Sequence, residues 1–273
     1  MKLTHVLRSV FCEPWLIQPA MHSMIRDIVV AHCNGSAHEA GGIAELFGDE
    51  DAEPDPILSI ADGIATIRIE GVIGKRVGAL EKTSGVTDLD DIAEALRSAQ
   101  QDPSVQGIVL SVDSPGGTVA GVEEVGDMIY DSEKRVVAFS DIQAASAAYW
   151  LASQAQAFVV SASAPSIGSV GVYLPVLDQS AAFAARGLKM EVIKSGKYKG
   201  MGIQGTTLTD EQRAHLQSRT AMIHARFKAA VLRMHKIGDE DMEGQDFFGH
   251  EAVARGFADE IGDMDSARKL ARL

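Results

Sequence analysis

Between residues 64 and 161 the chain alternates short apolar runs with segments of helical spacing, and this alternation limits the fold more than any other feature. Residues 64–69 (IATIRI) alternate apolar and polar side chains, as a half-buried strand does, and the glycines at 71 and 74 predict a turn after it. Residues 89–101 place Ile92, Ala95, Leu96 and Ala99 on one helical face, with Asp88 as a cap and Asp102-Pro103 as a stop. Residues 105–112 (VQGIVLSV) predict a buried strand, followed by a glycine-rich turn at 113–117. A helix over about 119–132, a strand at 136–140, a small-residue helix at 144–154 and a strand at 158–161 complete the series. Such a series predicts an α/β domain whose sheet is mainly parallel, with right-handed crossovers. A long helix is expected from Asp210 to Lys236, with Thr209 as its N-cap.

Residues 1–56 are expected to be an N-terminal extension. It ends in an acidic, proline-containing linker at 48–56 (GDEDAEPDP), and the domain proper occupies 57–273. The formal net charge of −13 excludes nucleic acid and anionic membrane as main partners, because both require clustered Lys and Arg. The longest apolar runs are too short to span a bilayer, and Arg8, Glu13 and Pro14 interrupt what would be the core of a signal peptide. Cys12 and Cys33 fit no zinc spacing and form no disulfide framework. The expectation is therefore a cytoplasmic protein without metal or cofactor.

Three segments carry chemistry. In residues 113–117 (DSPGG), two glycines let a ligand approach the backbone, and free N–H groups there suit a developing oxyanion. In residues 144–150 (AASAAYW), Ser146 stands among alanines, open to an approaching substrate and at the start of a helix. The third feature is an absence. All eight histidines lie at or before His38, or at or after His215, so no histidine within the core can serve Ser146. His215 and His224 would have to reach back through tertiary folding. A nucleophilic serine without histidine takes lysine as its base, and the candidates are Lys194, Lys197 and Lys199 in residues 194–200 (KSGKYKG). An exposed lysine, with a pKa of about 10.4, is no base at neutral pH, and burial lowers it. Residue chemistry alone leaves all three open.

In this order the segments resemble the signal-peptide-peptidase A family of Ser-Lys peptidases. The matches are DSPGG (113–117), AASAAYWLAS (144–153), SIGSVGV (166–172), SGKYKG (195–200) and FFGHEAVARGFADEIG (247–262). The resemblance implies a ClpP/crotonase-like fold of repeated ββα units, with a mainly parallel sheet and flanking helices. It also implies a serine endopeptidase with Ser146 as nucleophile, Lys199 as base and Ser169 orienting the lysine. The oxyanion donors would be the N–H groups of Gly116 and Ala147, with Gly117 in the neighbouring turn. Many members of the family have Gly-Gly after the nucleophile, where this chain has Ala147-Ala148, so a narrower groove is expected. The family assembles into rings that complete active sites between protomers, which implies a homo-oligomer.

Residues 13–20 (EPWLIQPA) and the stretch from Ser195 through residues 216–219 (LQSR) are similar to the tailed-phage branch of the family, the minor capsid protein C type of head maturation protease. That branch implies capsid scaffold, or the chain itself, as substrate, and portal or capsid proteins as partners. The workplace would be the host cytoplasm or the procapsid interior. Alternatives to this reading are a soluble bacterial peptidase clearing signal or membrane-derived peptides, a crotonase-fold acyl-CoA hydratase, and an inactive capsid-associated scaffold subunit.

Overall fold

A computed structural model of the chain describes residues 14–18, 22–23, 25–27, 56–78, 82 and 85–273. Cys12, Cys33 and all but the last residue of the acidic linker lie outside the described residues. The strands are β1 (Trp15–Ile17), β2 (Leu58–Ala61), β3 (Ile64–Gly74), β4 (Val86–Asp88), β5 (Gly107–Thr118), β6 (Arg135–Ser140), β7 (Gln143–Ala145), β8 (Ala157–Val160), β9 (Ser166–Gly168), β10 (Asp246–Phe247) and β11 (Glu260–Ile261). The helices are α1 (Leu89–Gln101), α2 (Val122–Tyr130), α3 (Ala147–Ala152), α4 (Ser180–Ala185), α5 (Asp210–Val231), α6 (Gly249–Ala254) and α7 (Met264–Leu270).

The long strand β5 organises the sheet. Along one side it runs parallel to β3, from Gly107 opposite Ile64 to Gly117 opposite Ile73. Its other side is shared along its length by three partners. Residues 107–111 pair with β6, Ser114 pairs with Ala144 of β7, and residues 116–118 pair with β1. The sheet therefore branches at β5 into a β6-β8-β11 arm and a β7-β9-β10 arm. The fold is α/β, with ββα units, a mainly parallel curled sheet and flanking helices, as expected.

Helix α1 spans the expected residues. Asp88 is buried at its N-cap, where its carboxylate accepts the N–H of Asp90 at 3.0 Å, Arg76 at 3.1 Å and Val77 at 2.8 Å. At the far end, the Lys134 ammonium donates to the carbonyls of Ala99 (2.8 Å) and Asp102 (2.5 Å), satisfying orphan acceptors there. The apolar face of α1 (Leu89, Ile92, Leu96 and Ala99) is fully buried against Ile67, Ile69, Ile108 and Leu110 of β3 and β5.

Two expected turns are strand instead. Residues 71–74 continue β3 past a bulge between Glu70 and Val72, with Gly71 at φ +62°. Residues 113–117 continue β5, and α2 begins only at Val122. Glycine content suggested bends, but here the glycines serve close strand approach. A Cβ on Gly117 would lie 1.8 Å from the Ile73 carbonyl oxygen. The long C-terminal helix starts at Asp210 with the expected Thr209 cap, a reciprocal box with Gln212, but ends at Val231.

The expected extension also contributes to the sheet. Trp15, Leu16 and Ile17 of β1 are 3%, 0% and 2% exposed. By contrast, no residue from 171 to 211 is buried, and this arm displays Leu177, Leu188, Met190 and Ile193 to solvent.

Candidate active site

Ser146 stands between β7 and α3, at the N-cap of the helix, with φ +56° and ψ −116°. Non-glycine residues rarely take positive φ, and here the neighbours hold it. The Ser146 N–H donates to the Gly168 carbonyl at 2.8 Å, and its own carbonyl accepts from the Trp150 N–H at 2.9 Å. The helix behind it is wholly buried, anchored by Trp150 stacked on Phe227 (4.7 Å) and by Tyr149, whose hydroxyl donates to the Phe257 carbonyl at 3.0 Å. Complete burial pushes the Tyr149 phenol well above its ordinary range, so it stays a donor. The Ser146 side chain makes no capping bond, which leaves its hydroxyl unspent at the helix start.

Ser169 is brought alongside. Strands β7 and β9 run parallel and end with Ala145 opposite Gly168, so Ser146 and Ser169 are the residues that follow them. Both leave their strands in left-handed backbone, Ser169 with φ +55° and its N–H on the Gln245 carbonyl at 2.7 Å.

Gly116 lies on the other side of the Ser146 turn. A Cβ there would sit 3.0 Å from the Ala147 nitrogen and 2.9 Å from the Ala145 oxygen, and its φ of +101° suits glycine. The two expected oxyanion donors therefore neighbour one another. Ala147 is the first residue of α3, where N–H groups have no helical partner, and the Gly116 N–H donates to Ser114 Oγ at 3.2 Å. Ser114 Oγ in turn donates to the Gly71 carbonyl at 2.6 Å, which ties this strand to β3.

The lysines are arranged differently. Lys197 forms an ion pair with Glu211, and the hydrogen bond to that carboxylate raises its pKa, keeping it charged. Lys194 donates to the Lys197 carbonyl at 3.1 Å. Lys199 is exposed, and among the described residues its ammonium has neither an ion pair nor a hydrogen bond. No hydrogen bond joins Ser146 to Lys199 within the single chain.

The C-terminal histidines do reach back, but to other groups. His224 Nε2 faces the Val170 and Met242 carbonyls at 3.0 and 2.8 Å, an environment that makes this nitrogen a donor. His215 stacks on Tyr198 at 4.6 Å, beside Lys199.

Asp113 belongs to the DSPGG segment, but the sequence assigns it no role of its own. It faces Glu70 across β3 and β5, and one of its carboxylate oxygens is buried without a partner. Burial is the main cause raising its pKa, opposed by a hydrogen bond from Gln143 and reinforced by Glu70 and Asp141. Its position one residue before Ser114 was the available signal.

Residues 129–273 match Peptidase family S49, a span that contains Ser146, Ser169 and Lys199. The chain belongs to this family. Among curated relatives, the head-tail preconnector protein GP5 of Enterobacteria phage P21 is 30% identical over 97% of this chain and 56% of its own length. Capsid assembly protease C of Escherichia phage lambda is 30% identical over 99% of this chain and 65% of its own. The chain thus spans between about half and two thirds of these relatives. Among solved structures, a ClpP1 point mutant from Listeria monocytogenes matches with a TM-score of 0.46 and 14% identity, over 74% of this chain and 94% of that one. No helix among the described residues is long and apolar enough to cross a membrane.

Proposed function

We propose that this S49 chain is a serine endopeptidase in which Ser146 attacks the scissile carbonyl and Lys199 acts as its general base. One observation carries the reading: Ser146 is held in left-handed backbone at the start of a buried helix, its hydroxyl uncapped and Gly116 beside the next amide. Attack would place the oxyanion between the N–H groups of Gly116 and Ala147, each worth about 3 kcal/mol. Gly116 would exchange its bond to Ser114 for the substrate. The lysine then protonates the leaving amine, and water hydrolyses the acyl-enzyme.

The choice of Lys199 is supported by the engagement of its rivals, since Glu211 keeps Lys197 charged and Lys194 is turned back on the loop backbone. A lysine becomes a base when apolar surroundings desolvate it, and among the described residues Lys199 stands exposed. The exposed apolar residues of the same arm support a homo-oligomer in which a neighbouring protomer covers it. Ser169, in register with Ser146, would orient the amine.

The likeness to the phage relatives supports a role in capsid assembly, with scaffold or the chain itself as substrate and portal or capsid proteins nearby. The domain boundary at 56/57 is part of the same proposal, with β1 as a segment of the extension that returns to the sheet. Incubation with α-casein, followed by mass spectrometry, tests the activity. Fragments are expected from the wild type and none from Ser146→Ala or Lys199→Ala. Uncut casein with every form, or equal cutting by Ser146→Ala, contradicts it.

A further inference from the structure

Past Ser114, the side of β5 that faces the Ser146 turn has, among the described residues, no strand partner but β1. Pairing with β6 ends at Ser111, and pairing with β7 is confined to Ser114. The position is filled by β1, which runs antiparallel with Trp15 opposite Thr118, Leu16 opposite Gly117 and Ile17 opposite Gly116. The outer side of β1 exchanges two backbone bonds with Tyr173, at 3.0 and 3.3 Å. The slot between residues 116–118 and Tyr173 is therefore one strand wide, and it opens at the nucleophile. The Leu16 carbonyl oxygen lies 2.2 Å from where a Gly116 Cβ would be, and the Ala147 nitrogen lies 3.0 Å from the same point. Gln18 closes the inner end. Its N–H donates to the Pro115 carbonyl at 3.1 Å, and its amide side chain donates to Ser166 Oγ at 2.6 Å and Asp246 at 3.1 Å.

An extended segment added to a strand edge, with alternate side chains in pockets, is how many peptides are bound. We propose that residues 15–18 are a built-in occupant of the substrate slot, and that they must leave before a peptide reaches Ser146. This inference rests on the peptidase reading for its functional meaning, but the occupancy is separable from it. The ligand class follows from the occupant: an extended peptide with successive bulky apolar residues, followed by an amide side chain for Ser166 and Asp246. β1 lies on the side of β5 opposite β3, so the β3-β5 pairing does not pass through it.

The test uses the full chain in a Ser146→Ala background, so that no probe is cut, and a fluorescein-labelled synthetic peptide of residues 13–20 (EPWLIQPA). Fluorescence anisotropy is expected to give at least about tenfold tighter binding to Trp15→Ala/Gln18→Ala than to the parent, because apparent affinity scales with the open fraction. Equal affinities overturn the proposal. Should that variant fold poorly, Trp15→Cys/Tyr173→Cys, with Cys12 and Cys33 changed to serine, places the two thiols at a bridged pair. The reduced form is expected to bind the peptide at least about tenfold tighter than the oxidised form, whose slot is locked shut. Identical binding in both redox states again overturns it. Fluorophosphonate labelling of the chain with Ser146 intact separates the two readings. With the slot opened by Trp15→Ala/Gln18→Ala, absent label alongside the expected peptide binding contradicts the nucleophile alone, whereas normal label with unchanged peptide binding contradicts the occupant alone.

Discussion

Ser146 sits where β7 gives way to a wholly buried helix, and its backbone is held there by the Gly168 carbonyl. Its alanine neighbours and the absence of core histidines singled it out, but its positive φ and its register with Ser169 arise from the β7-β9 pairing, which no local pattern encodes. The three lysines stayed equivalent in sequence for the same reason, since the ion pair that distinguishes Lys197 comes from Glu211 at the start of another element. Asp113 yields a prediction at this scale. Burial raises its pKa, so the folded state binds its proton more tightly than the unfolded chain does. Its contribution to stability is then full below the unfolded pKa and is lost as pH rises through the folded one. Asp113→Asn keeps the shape and removes the charge. Its melting temperature is expected to exceed that of the wild type at pH 7, with the difference shrinking towards pH values of about 4. A variant less stable than wild type at pH 7 would show that the carboxylate is satisfied after all.

At the scale of elements, periodicity located α1 to the residue and most strands to within a few positions, because their buried faces follow period 3.6 or 2. It failed where glycine served contact rather than bending. Residues 113–117 are strand because Gly117 lets β5 close on β3, with its missing side chain facing the Ile73 carbonyl. Gly117→Ala is therefore expected to destabilise the chain by at least about 2 kcal/mol, read as a lowered denaturant midpoint. An unchanged midpoint would mean that the two strands are not in close contact there. The early end of α5 has a similar origin. Only Gln212 and the last turns (Phe227, Ala230 and Val231) are buried, so tertiary packing, rather than pattern, sets its limit.

For the whole molecule, the order of strands and helices was enough to indicate a parallel α/β sheet. The return of residues 15–17 to β5 was not legible, since long-range antiparallel pairing leaves no local signature beyond a short apolar run. The proposed oligomer would cover the exposed apolar residues of the arm from 171 to 211. If Ser146 and Lys199 act across a protomer boundary, an equimolar mixture of Ser146→Ala and Lys199→Ala, each inactive alone, is expected to recover about a quarter of wild-type casein cleavage after subunit exchange. Light scattering should find an oligomer that Leu188→Asp/Ile193→Asp dissociates. A fully active monomer would contradict the shared site.

Intact-mass and peptide-mass analysis after fluorophosphonate treatment reports on a Ser146 nucleophile served by Lys199. A single adduct on Ser146 is expected in the wild type, none in Ser146→Ala, and labelling slowed by at least about a hundredfold in Lys199→Ala. An adduct on another residue, or equal labelling of Lys199→Ala and wild type, would contradict it.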